Sequence, residues 1–243
     1  MTRRRWIADE VSGDRAALVG EHAYHLVRVL RARVGEDFDI TIGHGVRRGR
    51  ITLVKEDRVE FELGEIISAA RLTDITLVLA VYKFDRMEWA IEKCTELGVS
   101  RIVPVISRRT DSHLAAASRK RVERWQRIAR QAAEQSRRTT PPDIAEPIKV
   151  SEALNSPNGL RILLAEAEEH TLLRDVLNDV LNQESASSGI ILAIGPEGGW
   201  TEEELQTFHQ AGWIPASLGD TILRAETAAI AATAITASAL YSL

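Results

Sequence analysis

From residue 75 onward, short apolar runs alternate with stretches of helical period, and this alternation limits the folds open to the chain. Residues 75–81, 101–106, 161–165 and 189–194 are too short for ordinary helices and too apolar for loops, so they read as buried strands. Between them, 86–97 and 118–136 read as helices. In the second, Val122, Trp125, Ile128, Ala129 and Ala132 form one apolar stripe. Further helices are expected over 172–181, after the capping box Thr201-Glu202-Glu203-Glu204, and over the Ala-rich 226–240, with a last short strand at 214–218. Gly98 and Pro141-Pro142 supply the stops. Repeated β-α units predict a parallel sheet with helices on both faces. Ligands of such sheets bind beyond the carboxyl ends of the strands.

The first 70 residues follow a different rule. Strands are expected at 37–42, 50–55 and 58–63, with turn signals at 43–49 and Glu56-Asp57. One helix interrupts them at 21–31, with Leu26, Val29 and Leu30 on its apolar stripe and Arg28 and Arg31 off it. Strands with one short helix suggest a small barrel. Residues 64–74 read as a linker, which gives an organisation of 1–70 and 74–243.

A chain of 243 residues with 44% hydrophobic and 27% charged residues can bury a core without staples. Its single cysteine, Cys94, allows no intrachain disulfide and reads as a small core residue. The basic start, Met1 to Trp6, is followed by no apolar core of signal-peptide length, and no run is long enough to span a bilayer. A cytoplasmic protein without a membrane partner is the expectation. His22 and His25 have no third ligand nearby in sequence, so no metal site is expected. The net charge of −4 hides an asymmetry. Residues 83–140 carry 14 Lys/Arg against 7 Asp/Glu, whereas 141–243 carry 4 against 15. The basic middle is either a polyanion surface or a solvated face.

The strand at 189–194 runs into Ile194-Gly195-Pro196-Glu197-Gly198-Gly199. Glycines permit positive φ and let a ligand touch the backbone, and proline fixes the loop. The pattern is neither a dinucleotide fingerprint nor a phosphate loop. Without a lysine and with Glu197, it suits an uncharged or cationic ligand, although a tight strand-to-helix turn would also explain the glycines. The second segment is Leu218-Gly219-Asp220-Thr221-Ile222-Leu223-Arg224-Ala225-Glu226-Thr227-Ala228. Arg224 and Glu226 stand at the mouth of a nearly uncharged helix, and charges there need partners, either each other or a ligand.

These two segments, with Lys83-Phe84-Asp85-Arg86, Thr95-Glu96-Leu97-Gly98-Val99, Glu134-Gln135-Ser136-Arg137-Arg138 and His25-Leu26-Val27-Arg28, resemble the RsmE-type family of ribosomal RNA uracil N3-methyltransferases of the SPOUT superfamily. Arg108-Arg109-Thr110-Asp111 is a looser match. The resemblance covers nearly the whole chain. It implies an α/β fold tied in a deep trefoil knot, an N-terminal PUA-like RNA-binding barrel, and a homodimer with the active site near its interface. It implies S-adenosyl-L-methionine as cofactor, held by Leu164, Ala165 and Glu166, by Ile194, Gly195, Pro196, Glu197, Gly198 and Gly199, and by Leu218, Gly219, Ile222, Leu223, Arg224, Thr227 and Ala228. The implied substrate is 16S ribosomal RNA of the small ribosomal subunit, not DNA. Arg224 is the first choice for stabilising charge on the uracil oxygens, with Glu226 or Glu197 accepting the proton or holding Arg224. RNA contacts are expected from Arg4, Arg5, Arg28, Arg31 and Arg33 and from Lys83, Arg86, Arg137 and Arg138. Rival readings are a 2′-O-ribose methyltransferase of the same superfamily, an RNA-binding protein without catalysis, and a nucleotide-dependent oxidoreductase. The missing dinucleotide fingerprint opposes the last.

Overall fold

The computed structural model describes all residues except 1–4, 43–44, 70–73, 139, 155–158, 167, 169, 182–188 and 242–243. Arg4, part of the 43–49 turn, part of the expected linker and the small-residue loop at 185–188 therefore lie outside the described residues. The chain divides into two compact units, Met1–Leu72 with Ala133–Pro141, and Thr73–Ala132 with Pro142–Leu243.

The first unit is a mixed sheet of six strands: β1 (Arg5–Ile7), β2 (Glu10–Ser12), β3 (Arg15–Val19), β4 (Asp37–Ile42), β5 (Gly45–Lys55) and β6 (Arg58–Ala69). Their spatial order is β1-β4-β5-β6-β3-β2, with β1 parallel to β4 and the other pairs antiparallel. The expected strands at 50–55 and 58–63 are the inner parts of β5 and β6. Helix α1 (Glu21–Tyr24) continues into a π turn over His25–Val29, and Arg31 follows at φ 55°. Leu18, Leu26, Ile40, Ile51, Val59 and Phe61 fill the core. Segment 133–141 joins this unit rather than the second. His22 Nε2 lies 3.4 Å from Glu134 Oε1, and Arg5 Nη1 donates to the Arg137 carbonyl at 2.5 Å.

The second unit begins with β7 (Ile75–Ala80), α2 (Phe84–Glu96) and β8 (Arg101–Ile106). Next come α3 (Ser112–Ala117), α4 (Val122–Gln135), β9 (Asp143–Ile144), β10 (Ile148–Lys149) and α5 (Val150–Ala153). The chain then runs through β11 (Leu160–Leu164), α6 (Leu173–Leu181), β12 (Ile190–Ile194), α7 (Glu202–Gln210), β13 (Ile214–Ala216) and α8 (Ala225–Tyr241). Every strand pair is parallel, in the order β10-β8-β7-β12-β11-β13, with β9 also on β8. Successive residues of β7 point to opposite faces. Leu77 and Leu79 pack with α2, α6 and α8, whereas Val78 and Ala80 pack with α5 and α7. Both faces are therefore buried, as a parallel sheet requires. The chain builds outward from β7 through β8 to β10, then returns through β11 and β12. That reversal places the ends of β7, β12 and β11 side by side, which is where a crevice forms.

In the first unit, a side chain at Gly49 has no room. A Cβ there would overlap Ile40 Cγ1 and lie 3.3 Å from Phe61. Gly49→Val is expected to cost about 1–3 kcal/mol by overpacking, read as a lower Tm in thermal unfolding. An unchanged Tm would contradict this packing.

Candidate functional site

A cavity of about 310 Å³ opens beyond the carboxyl ends of β8, β11, β12 and β13. Its walls are three chain segments. Leu164, Ala165 and Glu166 follow β11, Ile194 to Trp200 follow β12, and Ala216 to Leu223 follow β13, with Ala225 and Ala228 of α8 behind. All of the expected cofactor residues line it except Arg224 and Thr227.

The loop after β12 is shaped by local chemistry. Gly199 N–H donates to the Pro196 carbonyl at 2.8 Å, and Gly199 has φ 69°, a conformation that favours glycine. Gly195 lies flush on the Trp200 ring, where a Cβ would stand 3.2 Å from Nε1. The indole N–H donates to the Leu164 carbonyl at 3.2 Å, tying the loop to the end of the neighbouring strand. Phe208 and Trp213 continue the aromatic stack, with ring centroids 4.9 and 5.1 Å apart. The expected capping box is present: Thr201 Oγ1 accepts from Glu204 N–H, and Glu204 accepts from Thr201 N–H at 2.9 Å. Glu204 also accepts from Arg108 N–H at 2.8 Å and so anchors the loop after β8.

That loop supplies a residue the sequence reading left out. Arg109 lines the cavity, and its Nη1 donates to the Gly198 carbonyl. Among the described residues it is the one cation in the lining, against the carboxylates of Glu166, Glu197 and Asp220. Two adjacent arginines after a strand were the available signal. The neighbour, Arg108, turns away to Glu203 at 2.7 Å.

Beside the cavity, Arg86 donates to Glu197 Oε1 at 2.5 Å, and its Nε lies 3.8 Å from Glu226 Oε1. Glu226 is 4% exposed, and its Oε2 has no hydrogen-bond partner among the described residues. The same is true of the buried Tyr82 hydroxyl. Burial, then the nearby Cys94, Glu226 and Glu197, raise the pKa of that hydroxyl well above its ordinary value. The geometry thus pairs Glu226 with Arg86, not with Arg224. Arg224 is exposed and accepts the Ala228 N–H through its carbonyl at the start of α8.

The expected RNA contacts divide similarly. Arg28 is paired with Glu56 at 2.5 Å, and Arg86 is held as described. Arg31, Arg33, Lys83 and Arg137 are exposed, Arg5 serves the Arg137 carbonyl, and Arg138 is half-buried. Among the described residues, no group of three or more His, Cys, Asp or Glu could hold a metal ion. No helix among them is long and apolar enough to cross a membrane.

Residues 69–237 match the profile of the RNA methyltransferase domain family, so the chain is of that class. The chain is 36% identical, over 84% of its length and 67% of the relative's, to ribosomal RNA small subunit methyltransferase E of Synechocystis. Its identity to the protein of that name in Bacillus subtilis is 28%, over 87% of this chain and 85% of that one. Among solved structures, the small subunit methyltransferase E of Neisseria gonorrhoeae bound to S-adenosyl methionine is 32% identical, with 98% of each chain covered and a TM-score of 0.82. A Legionella pneumophila methyltransferase in complex with bound cofactor SAM superposes with the same score and coverage at 28% identity. The chain belongs to the ribosomal RNA small subunit methyltransferase E family.

Behind the site, Cys94 is fully buried between α2 and α8. Burial pushes its thiol pKa up to about 12, against a hydrogen bond from Thr233 Oγ1 at 3.4 Å. Alkylation at pH 8 should therefore be far slower in the native protein than in denaturant, because the thiolate is the nucleophile. Equal rates by mass spectrometry would contradict this environment.

Proposed function

We propose that the chain transfers a methyl group from S-adenosyl-L-methionine to N3 of a uracil in 16S ribosomal RNA. The observation that carries this reading is the cavity, in which, among the described residues, glycine backbone and three carboxylates face a single arginine. Its volume falls within the range of small-molecule sites, about 300–1,000 Å³. The donor set fits the cofactor. Close-packed Gly195 and Gly198 let a ligand approach the backbone, and Glu166, Glu197 and Asp220 offer acceptors to hydroxyl and amino groups and a favourable field to a cation. Bound there, S-adenosyl-L-methionine supplies a methyl group already activated by the positive sulfonium.

The protein's own work is alignment and charge. Uracil N3 carries a proton and is a poor nucleophile until that proton leaves. Glu197, in the lining, is the carboxylate placed to accept it. Glu226, buried behind Arg86, is placed to hold that arginine. The Arg224 guanidinium, which stays protonated throughout, is in this reading the group that stabilises charge on the uracil oxygens. In this reading the chain works as a homodimer in the cytoplasm. Ile222, in the cavity wall and 81% exposed, supports a second copy covering the mouth of the cavity, and Thr227 is then a contact across that interface. In this reading the second unit is tied in a trefoil knot, and the first unit is a PUA-like barrel that holds RNA. Arg31, Arg33 and Arg137 are its exposed candidates for phosphate contacts, and Lys83 is one on the second unit.

Methyl transfer to small ribosomal subunits from a strain lacking its own enzyme, followed by mass mapping of the modified nucleotide, tests the reading. A methyl on uracil N3 is expected; a methyl on ribose, or none, would overturn it. Arg224→Ala should lower turnover by about 100-fold or more, as loss of one charge-stabilising donor does, with little change in S-adenosylmethionine affinity by calorimetry. Near-wild-type turnover would remove Arg224 from the mechanism.

A further inference from the structure

Glu197 stands in the cavity wall, on the loop after β12, and Glu226 beside the cavity, in the first turn of α8. Arg86 reaches Oε1 of both, at 2.5 and 3.8 Å. Arg86 itself stands in the first turn of α2, just beyond the end of β7, which lies beside β12 in the sheet. It is thus rooted on a rigid element while the carboxylates it holds sit on loop and helix end. The Glu226 side chain is 5% exposed, so water cannot screen its charge, and its second oxygen has no partner among the described residues. The α8 N-terminus favours the carboxylate but cannot hold Glu197 near it. Two carboxylates beside one another in a partly buried site repel, and an unpaired buried charge costs several kcal/mol.

We propose that Arg86 is a positioning residue: by bridging Glu197 and Glu226 it fixes the glycine-rich wall against α8 and so sets the shape of the cofactor cavity. The inference rests on the proposed cofactor and adds a role for an arginine otherwise expected to meet RNA. Arg86 does not line the cavity, and it acts through Glu197, which does. Its effect therefore falls on cofactor binding and, through Glu197, on the chemical step. The planar fork suits two carboxylates at once, whereas a lysine would serve them as a point charge.

The test uses the full chain with four variants: Arg86→Gln, Arg86→Lys, Glu197→Gln and the double variant Arg86→Gln/Glu197→Gln. Without any ligand, Arg86→Gln should lower Tm by several degrees. The double variant should melt higher than Arg86→Gln alone, because removing the second charge relieves the repulsion. By calorimetry, Arg86→Gln should bind S-adenosylmethionine and the neutral S-adenosylhomocysteine about tenfold more weakly, each by a similar factor. A charge effect alone would instead favour the cation. KM for the cofactor should rise by about the same factor, and kcat should fall as well, because the Glu197 that Arg86 holds is the proton acceptor of the proposed mechanism. Arg86→Lys should recover part of both losses.

A double variant no more stable than Arg86→Gln would overturn the proposal, as would wild-type affinity for both ligands in Arg86→Gln. If the wild type binds neither ligand, the functional reading falls instead, and the ligand-free melting temperatures still decide whether Arg86 forms the bridge.

Discussion

The indole of Trp200 is the fixed point of the site. One N–H, one ring face and one ring edge serve three different partners. The N–H goes to the carbonyl that ends β11, the face lies on Gly195, and the edge meets Phe208 of α7. The loop after β12 consequently has no freedom to lift from the neighbouring strand without breaking a buried hydrogen bond. Such a loss costs about 1–3 kcal/mol when a group is left unpaired. Glycine at position 195 suits this seating, because a Cβ there would stand 3.2 Å from the indole Nε1 and force the ring to shift by a few tenths of an ångström.

The capping box extends the same constraint to another loop. Glu204 would be an ordinary helix cap if it accepted only from Thr201. It is buried, and its other oxygen takes the Arg108 N–H. The start of α7, the glycine-rich loop and the loop after β8 are therefore one hydrogen-bonded assembly, and Arg109 is aimed at the cavity because Arg108 is held. A cap that is local in sequence thus positions a residue nearly 100 positions earlier.

This explains what could and could not be read from the sequence. The parallel sheet was legible because its strands are buried on both faces and so are uniformly apolar. Strand β4 was legible because Phe38 and Ile40 face the core between more exposed neighbours. Strand β2 was not, since Glu10, Val11 and Ser12 are all exposed and carry no pattern. The extension of β5 through Gly45 and Gly49 looked like a turn. Gly49 is there to make room for Ile40 and Phe61, a reason that exists only once strands pair. At the site, the wall segments were legible as strand ends followed by glycines. The direction of individual charges was not. Nothing local distinguishes Arg109 from Arg108, or places Arg224 outside the cavity and Glu226 against Arg86.

The charge asymmetry along the chain is partly absorbed by the fold. Much of the acidity of residues 141–243 sits where the architecture wants it, in the first turns of α5, α6, α7 and α8 and in the cavity wall. The basic excess of 83–140 is also partly consumed by structure. Arg86 bridges two carboxylates, Arg108 holds Glu203, Arg124 makes a two-pronged contact with Glu88, and Arg121 lies over the Phe84 ring. Lys83, Arg119, Lys120 and Arg127 are exposed, with no ion pair among the described residues. A polyanion meeting the second unit has these free cations to neutralise, so the salt dependence of its binding follows from their number rather than from the block's full charge.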